Sequence, residues 1–177
     1  MVLKSDSSLL VNRKPLFVPD AVGDLQALPC RVLRVSRLGK CIAPKFASRY
    51  YDAVAPGIDF FAADILRDAK AAGKPWTEAV AFENSLAVGE WIAVDQWQQA
   101  GNRWLIDRGG EREEQCTLLT DEQQVLDHAV AKVSELLTIR QGDLIYVACQ
   151  ATPWKLQTED VLLSESAGAE TLYCKIK

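Results

Sequence analysis

The chain has 177 residues and a formal net charge of −4, and 49% of its residues are apolar while 25% are charged. This length and composition are typical of a globular protein with one substantial core, so we predict a single domain over residues 1–177. Acidic and basic residues are interspersed, and the absence of a basic stripe argues against binding to nucleic acid or to a membrane surface.

The N-terminal residues and the cysteines bear on the compartment. The first residues contain no apolar core of the kind found in signal peptides, and no run of 18 apolar residues predicts a membrane-spanning helix. The cysteines are odd in number and form no CxxC pair (Cys30, Cys41, Cys116, Cys149 and Cys174). This pattern favours reduced thiols, and we therefore expect a cytoplasmic protein.

The first half of the chain alternates between short strands and helices. We predict a strand over 31–35, a helix from 43 to about 53, and a short buried strand over 58–61. A helix over 62–72 follows, and Gly73 stands where a C-terminal cap belongs.

The second half contains a hairpin, the clearest helix and two further strands. Two strands, 102–108 and 111–118, flank Gly109-Gly110 and predict the hairpin. A capping box at 120–123 begins a helix, and seven residues form its apolar stripe (Val125, Leu126, Ala129, Val130, Val133, Leu136 and Leu137). Strands are predicted over 144–149 and 171–177, so the fold class is α+β and rich in β-structure.

The stretch from Gly57 to Gly89 carries the most information. It contains Gly57-Ile58-Asp59-Phe60-Phe61, then Gly73-Lys74-Pro75-Trp76, then Phe82-Glu83-Asn84. It resembles the segment of the fumarylacetoacetate hydrolase (FAH) family that supplies a metal-binding Asp and an active-site Lys.

Other segments are similar to the same family in the same order. Residues 3–10 (LKSDSSLL) resemble the family's LKPDSALL, and residues 14–20 resemble KPFFIPD. The segments RLGK (37–40), RYYD (49–52) and QGDLI (141–145) also match. The resemblance implies an FAH-like mixed β-roll or sandwich with a few peripheral helices, and a protein that usually forms dimers.

The same resemblance implies a divalent cation, usually Mg²⁺, and reactions on 1,3-diketo or oxaloacetate-like compounds. Magnesium takes hard oxygen ligands, which the family supplies as a Glu-x-Glu pair and an Asp. The Asp is present as Asp59, but the pair falls on Leu28 and Cys30, and the active-site Lys falls on Val80.

At further positions, the functional residues that the family has are also replaced in this chain. The His before the Glu-x-Glu pair falls on Gln26, and the Arg four residues after the Asp falls on Ala63. The substrate-contacting TGTP turn is replaced by residues 147–150 (VACQ), and we find no counterpart of the family's N-terminal segment with its catalytic His and Glu. We therefore assign no catalytic residue and describe the remnant of the pocket as Asp59, Cys30, Val80, Cys149 and Gln150.

Several residues keep two interpretations. Asp59 is either a vestigial metal ligand or a carboxylate that hydrogen-bonds at a strand–helix junction and caps the following helix. Cys30 and Cys149 are either small buried hydrophobes or, with Asp59, ligands of a zinc site. Trp97 and Trp154 belong to the core or anchor a partner.

The functional expectation is a catalytically degenerate FAH-family protein that acts by binding or by pairing with another chain. No cofactor is expected on this interpretation, and the partner is a second copy or an active relative. The alternative is a metal-dependent FAH-type hydrolase, decarboxylase or tautomerase for acylpyruvate or oxaloacetate-like substrates, with Mg²⁺ or Mn²⁺ at Asp59.

Overall fold

A computed structural model describes residues 1–97, 101–115 and 121–177, apart from the side chain of Gln115. Its strands in chain order are β1 (Leu9–Val11), β2 (Leu25–Val35), β3 (Tyr51–Ala62), β4 (Leu86–Val88), β5 (Ile92–Ala93), β6 (Arg103–Arg108), β7 (Glu111–Gln115), β8 (Leu144–Ala148), β9 (Trp154–Lys155), β10 (Val161–Ser166) and β11 (Ala169–Lys175).

These strands form two sheets. The larger has the order β1-β4-β3-β2-β8, with β5 added to β3 and β9 added to β2. The smaller has the order β11-β10-β6-β7 and is antiparallel throughout. The predicted β-rich α+β fold with few helices is confirmed.

Four α-helices are described: α1 (Ala63–Ala71), α2 (Thr77–Val80), α3 (Val94–Trp97) and α4 (Glu122–Leu136). Two 3-10 helices, Asp6–Ser8 and Pro44–Arg49, complete the helical structure of the described residues. α4 packs against the second 3-10 helix and against β8. No helix of the described part of the chain is long and apolar enough to cross a membrane.

The long antiparallel pair β2–β3 is the centre of the larger sheet. Gly57 on β3 allows its tight packing, because a Cβ there would lie 2.7 Å from Cys30 Sγ and 3.1 Å from the Ala87 carbonyl oxygen. Real Cβ atoms essentially never come as close as 2.7 Å to another heavy atom, so only glycine fits without a shift of its neighbours.

Two tryptophans connect the sheets in the main core. Trp104 on β6 is fully buried, and its indole N–H donates to the Gly57 carbonyl oxygen at 3.1 Å. Trp97 packs edge-on against it, with the ring centroids 6.5 Å apart. Trp97 and Trp154 are 1% and 3% exposed, so the interpretation of these two as partner anchors is wrong and the core interpretation is confirmed.

Most predicted elements occur in the structure. α1 covers nearly the whole predicted helix, and Gly73 follows it with a φ of 63°. Gly109 and Gly110 have φ values of 64° and 99° at the turn between β6 and β7, as the hairpin prediction requires. The predicted strands 31–35 and 58–61 are parts of the longer β2 and β3.

The predicted helix from 43 to 53 is wrong. Only the short 3-10 helix Pro44–Arg49 forms, and β3 begins at Tyr51. The cause is tertiary: Tyr51 to Ala62 hydrogen-bond to β2 along its whole length, which outweighs the local helical pattern of apolar residues.

The helix α4 agrees with its prediction only in part. Leu126 and Val130 of the predicted stripe are buried, but Leu136 and Leu137 at its end are 60% and 37% exposed. Thr120 of the predicted capping box lies outside the described residues. His128, the single histidine, is exposed.

Candidate functional site

The pairing of β2 with β3 brings the three expected metal-ligand positions to one face. Leu28 lies directly opposite Asp59, and Cys30 lies opposite Gly57. Alternate residues of a strand point to the same side, so Leu28, Cys30 and Asp59 share a face of the larger sheet. β8 adds Tyr146 to that face, because Tyr146 pairs with Val32.

A lysine near the start of the chain completes this cluster. Lys4 Nζ lies 3.0 Å from Asp59 Oδ1, and the Lys4 side chain is only 5% exposed. The ammonium also donates to the Ser85 carbonyl oxygen at 3.0 Å, to Ser85 Oγ at 2.9 Å and to the Val80 carbonyl oxygen. An ammonium has three N–H groups, so these acceptors satisfy it fully in its charged form.

Local structure holds Lys4 in this position. The segment that follows it forms a 3-10 helix and then β1, which pairs in parallel with β4 beyond Ser85. The backbone N–H of Asn84 donates to the Ser7 carbonyl oxygen at 2.9 Å and joins the two segments just before these strands. These hydrogen bonds fix the segment that carries Lys4 beside Ser85, whose carbonyl oxygen and hydroxyl accept from the Lys4 ammonium.

Burial and charge shift the pKa values of this cluster. Burial lowers the pKa of Lys4, while the Asp59 carboxylate opposes that change. Burial raises the pKa of Asp59, and the Lys4 ammonium opposes it. Burial and then the Asp59 charge raise the pKa values of the Cys30 thiol and the Tyr146 phenol, which both stay neutral near pH 7. The cluster is therefore one ion pair among neutral groups.

The residues at this face do not fit a hard divalent cation. Leu28 has no ligand atom, Cys30 carries a buried neutral thiol, and Asp59 alone offers carboxylate oxygens. Mg²⁺ and Mn²⁺ require several oxygen ligands. No group of three or more His, Cys, Asp or Glu residues that could hold a metal occurs among residues 1–97, 101–115 and 121–177. The geometry gives no support to the zinc alternative either.

The other predicted pocket residues have different surroundings. Val80 is 8% exposed, and its carbonyl oxygen accepts from Lys4. Cys149 is buried, and the Arg31 guanidinium donates to its sulfur. Arg31 also packs on the Trp104 ring at 4.9 Å, so Cys149 is tied to a residue of the core between the sheets. Gln150 is exposed.

The alternative role of Asp59 as a helix cap is wrong. Ala62 is the N-cap of α1 and no side chain caps it. At this end of the helix, the carboxylate of Asp64 accepts from the Gly23 amide at 3.1 Å. Asp59 is held by Lys4 instead.

A large cavity opens beside the Lys4–Asp59 pair. Its volume is about 870 Å³, and its walls come from the N-terminal residues, β8, the end of α4 and the loop that follows α4. Asp59 lines this cavity together with Lys4 and Tyr146. Of the five predicted pocket residues, the described lining includes Asp59 and none of the other four.

Sequence reasoning missed Lys4 and Tyr146. Lys4 lies within the segment LKSDSSLL that resembles the family, but lysine is usually exposed, and nothing local predicts a buried one. Tyr146 lies in the correctly predicted strand 144–149. Its position on the face of Asp59 depends on how that strand pairs with β2.

Comparison with known proteins decides the family. The model described as "Fumarylacetoacetate (FAA) hydrolase C-terminal" matches residues 1–176. The chain belongs to the fumarylacetoacetate hydrolase family. The resemblance expected from the sequence is confirmed.

Individual relatives are distant. The mitochondrial oxaloacetate tautomerase of Mus musculus is 23% identical over 183 residues, which cover 98% of this chain and 82% of that protein. The Caenorhabditis elegans protein of the same name is 22% identical, covering 92% of this chain and 76% of the relative.

A solved structure supports the fold. A fumarylpyruvate hydrolase from Pseudomonas aeruginosa, crystallised with Mn²⁺ and pyruvate, aligns with a TM-score of 0.81 at 17% identity. The alignment covers 98% of this chain and 76% of that one. At this identity the likeness shows the FAH-like fold alone.

Proposed function

We propose that this chain is a catalytically degenerate FAH-family protein that acts by binding, either of a small molecule or of another chain. The observation that carries the proposal is the strand pairing at the expected metal site. Leu28 lies opposite Asp59, and Cys30 lies on the same face, two residues after Leu28. Where the resemblance expects three carboxylates around a cation, one carboxylate remains. That carboxylate has an internal counter-ion in Lys4 at 3.0 Å.

The energetics of the replacements support this proposal. Two carboxylates buried without a cation would each cost several kcal/mol. Leu28 and the Cys30 thiol carry no charge, so this face is stable without a metal ion, and Cys30 is fully buried.

Metal binding and turnover are the direct tests. The purified protein is stripped of metal, and Mn²⁺ and Mg²⁺ are titrated by calorimetry. In parallel, the enol–keto conversion and the decarboxylation of oxaloacetate are followed with each metal. We expect no binding tighter than the millimolar range and no rate above background. Micromolar affinity, or turnover that Asp59→Ala abolishes, would refute the proposal.

A constructive variant tests the assignment of positions. Leu28→Glu and Cys30→Glu together place carboxylates next to Asp59, and Val80→Lys adds the expected lysine. We expect this triple variant to bind Mn²⁺ more tightly than the natural chain, because three carboxylates supply the oxygen ligands that one does not. Unchanged Mn²⁺ affinity in a folded triple variant would contradict our alignment of these positions with the family.

The enzymatic alternative has one observation in its favour. The Lys4–Asp59 pair places a carboxylate with its counter-ion at the edge of a large cavity, and the two relatives described above are named as oxaloacetate tautomerases. On that alternative, Asp59 with Mg²⁺ or Mn²⁺ acts on an oxaloacetate-like or acylpyruvate substrate. The turnover assay above separates the two.

Pairing with another chain is the second part of the proposal. The partner is a second copy of this chain or an active relative, and light scattering after size-exclusion chromatography distinguishes a monomer from a homodimer. Co-purification with a co-expressed complete relative tests the hetero-oligomer. A monomer that retains no relative would leave only small-molecule binding.

A further inference from the structure

The cavity beside Asp59 is mainly apolar. Its volume of about 870 Å³ lies within the usual range for small-molecule sites. The walls include six aliphatic side chains from five parts of the chain: Leu9, Leu86, Val133, Ile139, Leu144 and Ile145. At the rim, Leu3 and Leu137 are 64% and 37% exposed. Such a surface gains free energy when an apolar molecule covers it.

Three polar residues meet at one end of this cavity. Asp59 and Tyr146 both line it, and Lys4 lies between them, with Nζ 3.0 Å from Asp59 Oδ1 and 5.8 Å from the centre of the Tyr146 ring. Asp59 Oδ1 is buried and contacts Lys4 only as an ion pair, without a hydrogen bond; within the described part of the chain, Asp59 Oδ2 and the Tyr146 hydroxyl make no hydrogen bond either. One strong acceptor and one hydroxyl donor are therefore available to a ligand.

The lysine does not offer its charge to a ligand. The Lys4 side chain is 5% exposed, and its three N–H groups go to the Val80 carbonyl, the Ser85 carbonyl and the Ser85 hydroxyl, while its charge is paired with Asp59. The second lysine of the lining, Lys132, is exposed and paired with Glu135 at 2.9 Å. A carboxylate placed at the polar end would lose its hydration and lie beside the negative charge of Asp59, while both lysines of the lining already have carboxylate partners.

We infer that this cavity binds an uncharged, mainly apolar molecule with a single hydroxyl or primary amide group at one end. That group donates to Asp59 Oδ2 and accepts from the Tyr146 hydroxyl, while the hydrocarbon part lies against the aliphatic walls. The inference rests on the proposed function, because it assigns this site to binding and not to turnover.

Competition between two ligands of equal chain length tests the charge of the ligand. Binding of the neutral fluorophore N-phenylnaphthylamine is measured first, and the probe is then displaced by octanol or by octanoate at neutral pH. We expect octanol to displace the probe at a concentration about tenfold or more below that of octanoate, the equivalent of about 1.4 kcal/mol. Equal displacement, or tighter binding of octanoate, would overturn the inference.

Two variants locate the site. Ala129 on α4 is half-buried and lines the cavity, so Ala129→Trp fills it and should abolish binding of the probe while the circular dichroism spectrum is unchanged. Tyr146→Phe removes one hydrogen bond and should weaken octanol about fivefold. The matched control Tyr173→Phe changes a half-buried tyrosine outside the cavity lining and should change nothing. Unaltered octanol affinity in both Ala129→Trp and Tyr146→Phe would also overturn the inference.

The outcomes separate this inference from the proposed function. Turnover of oxaloacetate by the metal-loaded natural chain would refute the proposed function, whatever the probe does. Absence of turnover combined with a preference for octanoate, or with no binding of the probe, would refute the ligand class alone.

Discussion

The buried Lys4–Asp59 pair is the feature whose removal should change the protein most. The two side chains are 5% and 16% exposed, and their charged atoms are 3.0 Å apart. At an effective dielectric constant of about 20, two unit charges at this distance attract by about 5 kcal/mol, most of which offsets the cost of taking them out of water. The pair therefore adds little net stability, but each member alone is costly.

Lys4→Met keeps the length of the side chain and removes its charge. We expect the free energy of unfolding to fall by about 3–5 kcal/mol near neutral pH, because Asp59 is left buried without a counter-ion. Asp59→Leu should cost a similar amount by leaving the ammonium unpaired. The double variant should lose at least about 2 kcal/mol less than the sum of the two single losses, since neither charge remains.

The pH dependence of Lys4→Met has a definite sign. Burial raises the pKa of Asp59, and loss of Lys4 raises that pKa further. A carboxyl group whose folded pKa exceeds its unfolded value of about 3.9 costs the folded state stability as pH rises from the unfolded pKa to the folded pKa, and the loss is constant above that. The difference in stability between the natural chain and Lys4→Met should therefore be small near pH 4 and grow toward pH 7.

Urea denaturation followed by tryptophan fluorescence measures these differences at each pH. Lys14→Met is the matched control, since Lys14 is exposed and its variant should lie within about 0.5 kcal/mol of the natural chain. A loss below about 1 kcal/mol for Lys4→Met, or strict additivity in the double variant, would refute the argument that the pair is buried and isolated from solvent.

Three further predictions concern other parts of the fold. Gly89→Ala should lower the free energy of unfolding by about 1–3 kcal/mol in urea, because a Cβ there would lie 2.5 Å from the Thr171 carbonyl oxygen; a wild-type midpoint would contradict this contact between the sheets. Burial raises the pKa of Cys174 to about 12, so the folded state keeps a thiol proton that the unfolded chain releases above about pH 8.5. This group should therefore lower the free energy of unfolding by up to about 1.4 kcal/mol for each unit that the pH rises above about 8.5. In urea titrations at several pH values, Cys174→Ala should make that slope less steep. Iodoacetamide at pH 8 should label exposed Cys41 and leave Cys174 unlabelled in the folded protein, as peptide mass spectrometry would report; equal labelling would show that the core opens.

Local chemistry in the sequence determined those elements that depend on few residues. Gly73 ends α1 and Gly109-Gly110 turns the hairpin, because glycine adopts positive φ values without strain. The predicted strand over 171–177 occurs as β11, on which Leu172 and Cys174 are buried. The family followed from the order of several motifs along the chain. The structure adds that Leu28 and Cys30, to which the resemblance assigns the Glu-x-Glu pair, share the face of Asp59.

The tertiary structure alone decided the ends of β3 and the counter-ion of Asp59. The residues 50–53 follow a helical pattern, but the hydrogen bonds that β2 offers them are worth more than their local preference. Lys4 and Asp59 lie far apart in the sequence, and no local pattern says which charge a buried carboxylate will meet. Lys4 reaches Asp59 because β1 pairs with β4, which places the N-terminal segment beside the larger sheet. Pairing between strands that are distant in the sequence depends on the packing of the whole chain and not on any one segment.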